Sequence, residues 1–389
     1  MLLLIISVLT LAAAAADIIH YCRLKRRKTP AGRRRAFVVL AVATNALPFI
    51  IAFWGLLGRD NTTGFMLFAM WAFWAWMVTV LPRIACYFFR LIGLPRTGIA
   101  AALGVVALFV WGATAGRTKI HVSRVEVCSE RLPAGFDGFR VAQFSDTHLG
   151  TLVRPEAELR RLVDSINGLR PDLIVFCGDL GNIRSSELDA RAMRLLGGLR
   201  APYGVVSVSG NHDAGVYIKD SISQPAQQSL AEVLERQRAM GWRVLEDSTV
   251  CLHRNGDSIT LTGLSFDPAL RHLRHDPELP PSDLSAAYRG VPDSLYNITV
   301  AHIPQLWTQI TDEGYGDLTL SGHVHSMQMK IRLFGRAFSP AQLLYTRWSG
   351  RYDEAGRTLY INDGTGYVGF PMRLGAYPEI TLITLERCE

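Results

Sequence analysis

Four long apolar stretches before residue 120 constrain the fold of this chain more than any other feature. They run from Leu2 to about Ile19, from Phe37 to Leu57, from Phe65 past Val80, and from Ile99 to Ala115. A helix that crosses a membrane needs ~20 mostly apolar residues, because it rises 1.5 Å per residue and must cover ~30 Å of hydrocarbon. The sequence therefore predicts a transmembrane region of about four spans over residues 1–119.

The order of charges around the first stretch argues against a cleaved signal peptide, although that alternative stays open. A signal peptide carries its positive charge before the apolar run. Here no basic residue precedes the run, and a cluster of Lys and Arg at positions 23–35 follows it. We therefore expect the first stretch to remain as a span.

The basic residues also predict an orientation, since short loops rich in Lys and Arg stay on the cytoplasmic side. The cluster at 23–35 and the set Arg83, Arg90 and Arg96 then lie inside, with Arg83 and Arg90 as interfacial anchors of the third span. The loop around Asp60-Asn61-Thr62 lies outside. We expect a multi-pass protein of the cytoplasmic (inner) membrane whose residues from about Arg117 onward face the periplasm or cell exterior.

Charge and composition exclude several classes of protein. The chain is 49% hydrophobic and 19% charged, which argues against a disordered chain and against a purely soluble one. Its net charge of +7 arises in residues 1–119, where 14 Lys and Arg face 2 Asp and Glu; the remaining residues are net acidic. A nucleic-acid footprint would place basic residues on the folded domain, so no nucleic-acid partner is expected. The cysteines after residue 119 permit disulfides, Cys177 is expected as a buried thiol, and no Cys-x-x-Cys spacing indicates a zinc finger.

Residues 120–389 alternate strand-like and helix-like segments, which predicts an α/β domain. Helical periodicity covers 159–169, 190–199 and 227–240. Strand-like runs occur at 140–144, 172–177, 204–209, 242–245, 258–264, 296–301, 318–320, 359–361 and 379–385. Residues 265–295 lack periodicity and are interpreted as a surface insertion that could border a binding cleft.

Polar segments follow five of these strands. They are Asp146-Thr147-His148, Gly178-Asp179-Leu180, Gly210-Asn211-His212-Asp213, His302, and Gly322-His323-Val324-His325. Ligands bind beyond the carboxyl ends of strands in open α/β sheets, so we expect these segments to converge. Taken singly, each could be a turn or a core histidine. Together, their carboxylates, carboxamide and imidazoles suit Mn²⁺, Fe or Zn²⁺ better than Ca²⁺.

This ordered pattern resembles that of the calcineurin-like metallophosphoesterase superfamily. The tail from Gly364-Thr365-Gly366 to Arg373-Leu374-Gly375-Ala376 is similar to the bacterial membrane-associated branch. The resemblance implies a sandwich of two mixed β-sheets flanked by helices, and a hydrolase that acts on phosphate esters, phosphodiesters included.

The resemblance also implies a binuclear centre of two divalent metal ions (Mn, Fe or Zn) that activates a water molecule. One ion would be held by Asp146, His148, Asp179 and His325, and the other by Asp179, Asn211, His302 and His323, with Asp179 as the bridge. His212 would contact the phosphate or protonate the leaving oxygen, and Asp213 would orient His212. Gly181-Asn182 and Ser326-Met327-Gln328 depart from the usual pattern of the superfamily, which leaves the substrate preference open.

The leading hypothesis is thus a membrane-anchored phosphoesterase with a phosphate-ester substrate. A lipid-linked substrate and a merely tethering role of the spans are equally favoured. The alternatives are a pyrophosphatase for a UDP-linked acylated sugar and a non-enzymatic binding module on the same fold. A transporter is disfavoured because only Asp17, near the end of a span, is ionisable within the spans. The sequence does not indicate the oligomeric state.

Overall fold

The computed structural model describes residues 2–57, 62–218, 225–268 and 279–388. It separates into two compact units, Met1–Ala115 with Gly369–Met372, and Gly116–Val368 with Arg373–Glu389. The predicted domain boundary between residues 119 and 120 stays a prediction. Asp60 and Asn61 of the predicted outer loop lie outside the described residues.

The first unit contains four long helices. They are α1 (Leu2–Arg26), α2 (Ala31–Leu57), α3 (Thr63–Leu91) and α4 (Pro95–Thr114). Each is long and apolar enough to cross a membrane. Thr62 caps α3, because its hydroxyl accepts a hydrogen bond from the backbone N–H of Phe65 at 3.2 Å. The prediction of four apolar helices is confirmed.

A polar triad links three of these helices. Asp17 of α1 pairs with Arg83 of α3 at 2.7 Å, and Asn45 of α2 donates to Asp17 at 3.0 Å and accepts from Arg83 at 3.2 Å. Arg83 lies eight residues before the end of α3 at Leu91, and its guanidinium turns towards a buried carboxylate; its role as an interfacial anchor stays a prediction. Asp17 likewise lies nine residues before the end of α1 at Arg26. Charged groups inside a membrane are costly unless they pair, and this pairing ties the helices together.

The described residues of the second unit form fourteen strands and five α-helices. The helices are α5 (Pro155–Gly168), α6 (Ala190–Leu196), α7 (Ala226–Ala239), α8 (Leu284–Ala287) and α9 (Trp307–Asp312). The strands are β1 (His121–Ser129), β2 (Phe139–Phe144), β3 (Leu173–Phe176), β4 (Val205–Ser207), β5 (Arg243–Val244), β6 (Ser248–Arg254), β7 (Asp257–Gly263), β8 (Asn297–Val300), β9 (Leu318–Ser321), β10 (Ile331–Leu333), β11 (Arg336–Phe338), β12 (Gly350–Glu354), β13 (Arg357–Ile361) and β14 (Glu379–Arg387).

Two six-stranded mixed sheets and one hairpin organise these strands. The first sheet has the order β1-β14-β2-β3-β4-β5, in which only the β14–β2 pair is antiparallel. The second has the order β12-β13-β9-β8-β7-β6, parallel from β13 to β7 and antiparallel at both edges. The hairpin pairs β10 with β11.

One hydrophobic core holds side chains of both sheets. Val141 and Val175 of the first sheet belong to the same buried cluster as Leu261, Ile298 and Leu320 of the second. Apolar runs such as Leu173–Phe176 form central strands because both faces of the strand are covered. The predicted α/β sandwich with two mixed sheets is confirmed.

The predicted surface insertion is partly outside the described residues. Of residues 265–295, the part after position 278 contains α8, and Tyr288 packs in a buried cluster with Leu264 and Ile310. Phe266 and Leu279 pack against Ile303, the residue after His302. The described part of the segment is therefore packed onto the domain.

A disulfide bond joins Cys128 at the end of β1 to Cys388 just after β14, and the two residues are 260 positions apart in the sequence. The sequence permitted disulfides without indicating this pair. Cys177 is a buried free thiol, as expected, whereas Cys251 is free and exposed.

Candidate metal centre

The predicted site residues follow the carboxyl ends of parallel strands in both sheets. Asp146 and His148 follow β2, Asp179 follows β3, and Asn211, His212 and Asp213 follow β4. From the second sheet, His302 follows β8, and His323 and His325 follow β9. The parallel direction of these strands explains why segments far apart in the sequence lie at one edge.

The backbone is unusual at five of the predicted ligands. Asp146, His148, Asp179, His323 and His325 all have positive φ, between 47° and 73°. Residues other than glycine seldom adopt this left-handed conformation, and such conformations cluster at functional sites. The backbone around the site is thus held in conformations that local sequence preference would not select.

Two glycines allow the carboxylates to approach the neighbouring backbone. A Cβ on Gly210 would overlap the Asp179 carboxylate, and a Cβ on Gly322 would overlap the Asp146 carboxylate. Any larger residue at either position would therefore displace a predicted ligand.

The first ligand group contains Asp146, His148 and His325, all of them buried. Asp146 Oδ1 lies 3.0 Å from His325 Nε2, which lies 3.1 Å from His148 Nε2. The backbone N–H of His323 donates to both carboxylate oxygens of Asp146, at 3.1 and 3.0 Å, and so fixes the carboxylate.

The second ligand group contains Asp179, His302 and His323, together with Asn211. Asp179 Oδ2 lies 3.2 Å from His302 Nε2, which lies 3.1 Å from Asn211 Oδ1 and 3.3 Å from His323 Nδ1. Asp179 Oδ2 also lies 3.9 Å from His148 Nε2 of the first group. The structure therefore brings all seven predicted metal ligands together, with Asp179 between the two groups; their roles as ligands remain a prediction.

The donor set fits divalent ions better than it fits a hydrogen-bonded network. Lone pairs of two carboxylates, one carboxamide and four imidazoles converge with few protons to share among them. Buried polar groups are normally satisfied, so this arrangement indicates a cation, and the mixed N/O set suits Mn²⁺, Fe or Zn²⁺.

Backbone carbonyls orient two of the imidazoles. His302 Nδ1 donates to the carbonyl of Cys177 at 2.7 Å, which directs Nε2 towards Asp179. His212 Nδ1 donates to the carbonyl of Asn182 at 2.5 Å. Such bonds fix the tautomer of a metal-binding or catalytic histidine.

Electrostatics favours charged carboxylates in the centre. Burial raises the pKa of Asp179, but the electrostatic attraction of His302 and His212 has the larger total effect. The pKa of Asp179 therefore lies well below its usual range. Burial acts against His302 too, yet Asp179 raises the pKa of His302 to about 9. Burial, with His212 and His325 nearby, holds the pKa of His148 well below its usual range, so this imidazole is neutral.

Asp213 contacts the backbone of the site. Its Oδ2 accepts from the N–H groups of Asp179 at 2.7 Å and Gly210 at 3.1 Å, and its Oδ1 from Leu180 at 2.9 Å and Gly181 at 3.0 Å. No hydrogen bond joins this carboxylate to the ring of His212 in the described parts of the chain. These contacts favour a role in positioning the Asp179 loop rather than the predicted role of orienting His212.

His212 lies beside both ligand groups. One of its ring nitrogens is within 4.8 Å of ligand atoms of His148 and Asp179, and its backbone N–H donates to Asp179 Oδ1 at 2.8 Å. Its ring centroid lies 4.5 Å from that of His148 and 4.3 Å from that of Tyr217. The ring is thus placed where it can meet a substrate at the ligand groups.

Sequence reasoning assigned no role to Arg373, although the structure places it at the site. Its guanidinium is fully buried and donates to the carbonyls of Gly366 at 2.6 Å, Asp363 at 2.9 Å and Ala376 at 2.9 Å. Its Nη2 lies 3.4 Å from His325 Nδ1. No local signal could have identified it, because the partners are backbone carbonyls of a loop without secondary structure.

Comparisons with known proteins agree with this architecture. Residues 139–327 match the family model of the calcineurin-like phosphoesterases. The chain is 31% identical over 270 residues to an uncharacterized metallophosphoesterase, YkuE, of Bacillus subtilis, and the match covers 69% of this chain and 86% of that protein. It is also 31% identical over 297 residues to a transmembrane protein with metallophosphoesterase domain of Danio rerio, with 75% of this chain and 63% of the relative covered.

A third relative is named for its substrate. UDP-2,3-diacylglucosamine pyrophosphatase LpxG of Chlamydia trachomatis is 25% identical over 338 residues, and the match covers 74% of this chain and 97% of that protein. The predictions of a metallophosphoesterase and of a hydrolase acting on ester bonds are confirmed. With its four apolar helices and its candidate metal-ligand clusters at the strand ends, the chain is a membrane protein that belongs to the calcineurin-like phosphoesterase family.

Proposed function

We propose that the protein is a membrane-anchored phosphoesterase in which two divalent ions, Mn, Fe or Zn, sit between the ligand groups described above. Asp146, His148 and His325 would hold one ion, Asn211, His302 and His323 would hold the other, and Asp179 would be shared by both. The observation that carries the proposal is the place of Asp179 Oδ2, 3.2 Å from His302 Nε2 and 3.9 Å from His148 Nε2. A single carboxylate oxygen thus lies close to both groups, where a ligand shared by two ions would lie.

The chemistry of the site follows from the charge of the substrate. A phosphate ester is anionic and repels nucleophiles. When bound, divalent ions would neutralise its oxygens and would lower the pKa of a bound water towards ~7. The chain itself would supply the fixed ligands, and the bond from His212 Nδ1 to Asn182 fixes the ring, whose Nε2 would carry a proton to the leaving oxygen.

The domain that carries the site is proposed to face the periplasm or the cell exterior of the cytoplasmic membrane. The distribution of Lys and Arg supports this orientation. The bond between Cys128 and Cys388 supports it independently, because disulfides persist in oxidising compartments and are rare in the cytosol.

A second candidate, hydrolysis of a UDP-linked acylated sugar, is favoured by the similarity to the Chlamydia pyrophosphatase. The two candidates differ in location, since a UDP-linked sugar is a cytoplasmic substrate. Fusions of alkaline phosphatase or green fluorescent protein after residue 388 distinguish them. Phosphatase activity is expected, and fluorescence without phosphatase activity would contradict the exported orientation and favour the nucleotide-sugar substrate.

The reaction itself is tested with a substrate panel on the detergent-solubilised full chain. A monoester, a diester and a pyrophosphate are each offered with Mn²⁺, Fe²⁺ and Zn²⁺ in turn, and bound metal is measured by mass spectrometry. We expect turnover that depends on metal and is lost in Asp179→Ala. Turnover unchanged in Asp179→Ala would contradict the proposed site. A chain that binds metal but hydrolyses none of the substrates would favour a non-enzymatic binding module.

A further inference from the structure

The described residues of the second unit expose six large hydrophobic side chains, and all six lie between Ile331 and Leu344. The set, here called the apolar strip, is Ile331 (60% exposed), Leu333 (51%), Phe334 (103%), Phe338 (47%), Leu343 (85%) and Leu344 (46%). Single exposed apolar residues are ordinary, but contiguous ones usually mark an interaction surface.

The hairpin of β10 and β11 turns its apolar face outward. Ile331 pairs with Phe338 and Leu333 with Arg336, so these side chains share one face. The opposite face carries Ala337, which packs against the buried cluster that includes Trp307. An ordinary surface hairpin places its apolar side chains inward, so the outward face of this hairpin is suited to an apolar partner.

The tip of the hairpin carries an aromatic residue in an unfavourable conformation. The two turn residues, Phe334 and Gly335, have φ of 50° and 77°. Two-residue turns of this kind favour Asn-Gly, and a bulky side chain with positive φ is rare. A fully exposed phenylalanine makes no packing contact within the described part of the domain that would offset this strain. This indicates a stabilising contact of Phe334 with a partner outside the domain.

The charge of the strip matches a lipid surface. Residues 331–345 contain Arg332 and Arg336 and no Asp or Glu, although the chain after residue 119 is net acidic. Neither guanidinium makes a hydrogen bond or an ion pair within the described part of the chain. Phe, Leu and Arg together are typical of surfaces that lie at the boundary of headgroups and acyl chains, and Arg is attracted by anionic lipids.

The apolar strip lies next to residues of the candidate metal centre. Ser339, which follows β11, donates to the carbonyl of Ser326 at 2.6 Å, next to His325. Tyr345, which follows Leu344, places its ring centroid 6.2 Å from that of His323. A partner surface that binds the apolar strip therefore lies close to the second ligand group.

We propose that the apolar strip docks into the bilayer interface and presents membrane-embedded amphiphiles to the metal centre. A bilayer is the partner because the same chain carries four helices able to cross one, and because the strip combines apolar and cationic side chains. The docking itself does not depend on the proposed chemistry.

The test uses the full chain in vesicles of phosphatidylethanolamine and phosphatidylglycerol with brominated acyl chains. Cys22, Cys86 and Cys251 are replaced by serine, and an environment-sensitive fluorophore is attached at position 343 (Leu343→Cys). The matched control carries the fluorophore at position 255 (Asn255→Cys), the polar turn between β6 and β7. We expect bromine to quench the fluorophore at 343 several times more strongly than at 255.

Equal quenching at the two positions, or none at 343, would overturn the proposal. So would emission at 343 that changes with protein concentration in detergent, since this indicates contact between copies of the chain. In a second arm, Phe334→Asn should weaken quenching at 343. The control Ala355→Asn introduces the same residue into the β12–β13 turn and should leave quenching at 343 unchanged. Asn suits both turns, so unfolding does not explain a difference between these variants.

Discussion

Replacing Asp213 by asparagine separates a positioning role from a catalytic one. The substitution preserves shape but turns one acceptor oxygen into an NH₂ group that faces two backbone N–H donors. Each buried N–H left without an acceptor costs ~1–3 kcal/mol, so Asp213→Asn should lower the free energy of unfolding by ~2–6 kcal/mol. A domain of this size loses ~2–4 °C of Tm per kcal/mol, which corresponds to roughly 4–24 °C.

The structure also predicts weaker metal binding in this variant. Two of the four N–H donors belong to Asp179, whose carboxylate is the proposed bridge, and to Gly210, whose backbone lies beside that carboxylate. Metal content after gel filtration, thermal unfolding of the detergent-solubilised chain, and kcat over a range of pH values are measured together. We expect reduced metal content and reduced Tm.

The control is Asp172→Asn, the same chemical change at the amino end of β3. There the carboxylate accepts from a single backbone N–H, that of Arg140, at 2.8 Å. Metal content should be unchanged in this control. If Asp213→Asn instead kept full metal content and Tm but lost kcat with an altered pH profile, the carboxylate would act through His212, and the positioning role would be refuted.

Three further predictions concern the same domain. Asp179→Ala should abolish metal binding and Asp179→Asn should weaken it severely, because the bridging oxygen is lost or neutralised; metal analysis of the purified chain that finds full occupancy would contradict the binuclear arrangement. His212→Ala should retain metal and lower kcat by about 10²–10⁴, the range of general acid catalysis, and loss of metal in this variant would rule out the proposed role. Cys128→Ser should lower the free energy of unfolding by about 2–5 kcal/mol, measured by thermal unfolding; an equal effect of reductant on the variant and the unaltered chain would show that no such bond forms.

The central strands and the polar segments at their ends were predictable because their signals are local and strong. Apolar runs such as Leu173–Phe176 have no other interpretation, and the polar segments stop them abruptly. The edge strands β1 and β6 escaped prediction because only one side of each is paired, so that residues such as Arg124 and His253 remain exposed. The hairpin of β10 and β11 escaped because its outward face is apolar, contrary to the usual pattern.

Long-range pairings could not be predicted from the sequence. Several cysteines after residue 119 left more than one pairing open, and only the parallel pairing of β1 with β14 brings Cys128 to Cys388. The pairing of Asp17 with Arg83 likewise depends on how three helices pack. The contacts of Asp213 could not be predicted for a related reason, because its partners are backbone groups that have no signature in side-chain chemistry.

The place of β14 determines when the first sheet can be completed during synthesis. It lies between β1 and β2. Until residues 379–387 leave the ribosome and reach the same compartment, β1 has no paired neighbour and β2 is paired only with β3. The disulfide bond between Cys128 and Cys388 forms later still, because Cys388 follows β14 in the chain. A nascent chain interrupted before this point exposes two unpaired strand edges, and such chains are expected to need chaperones and to be degraded first.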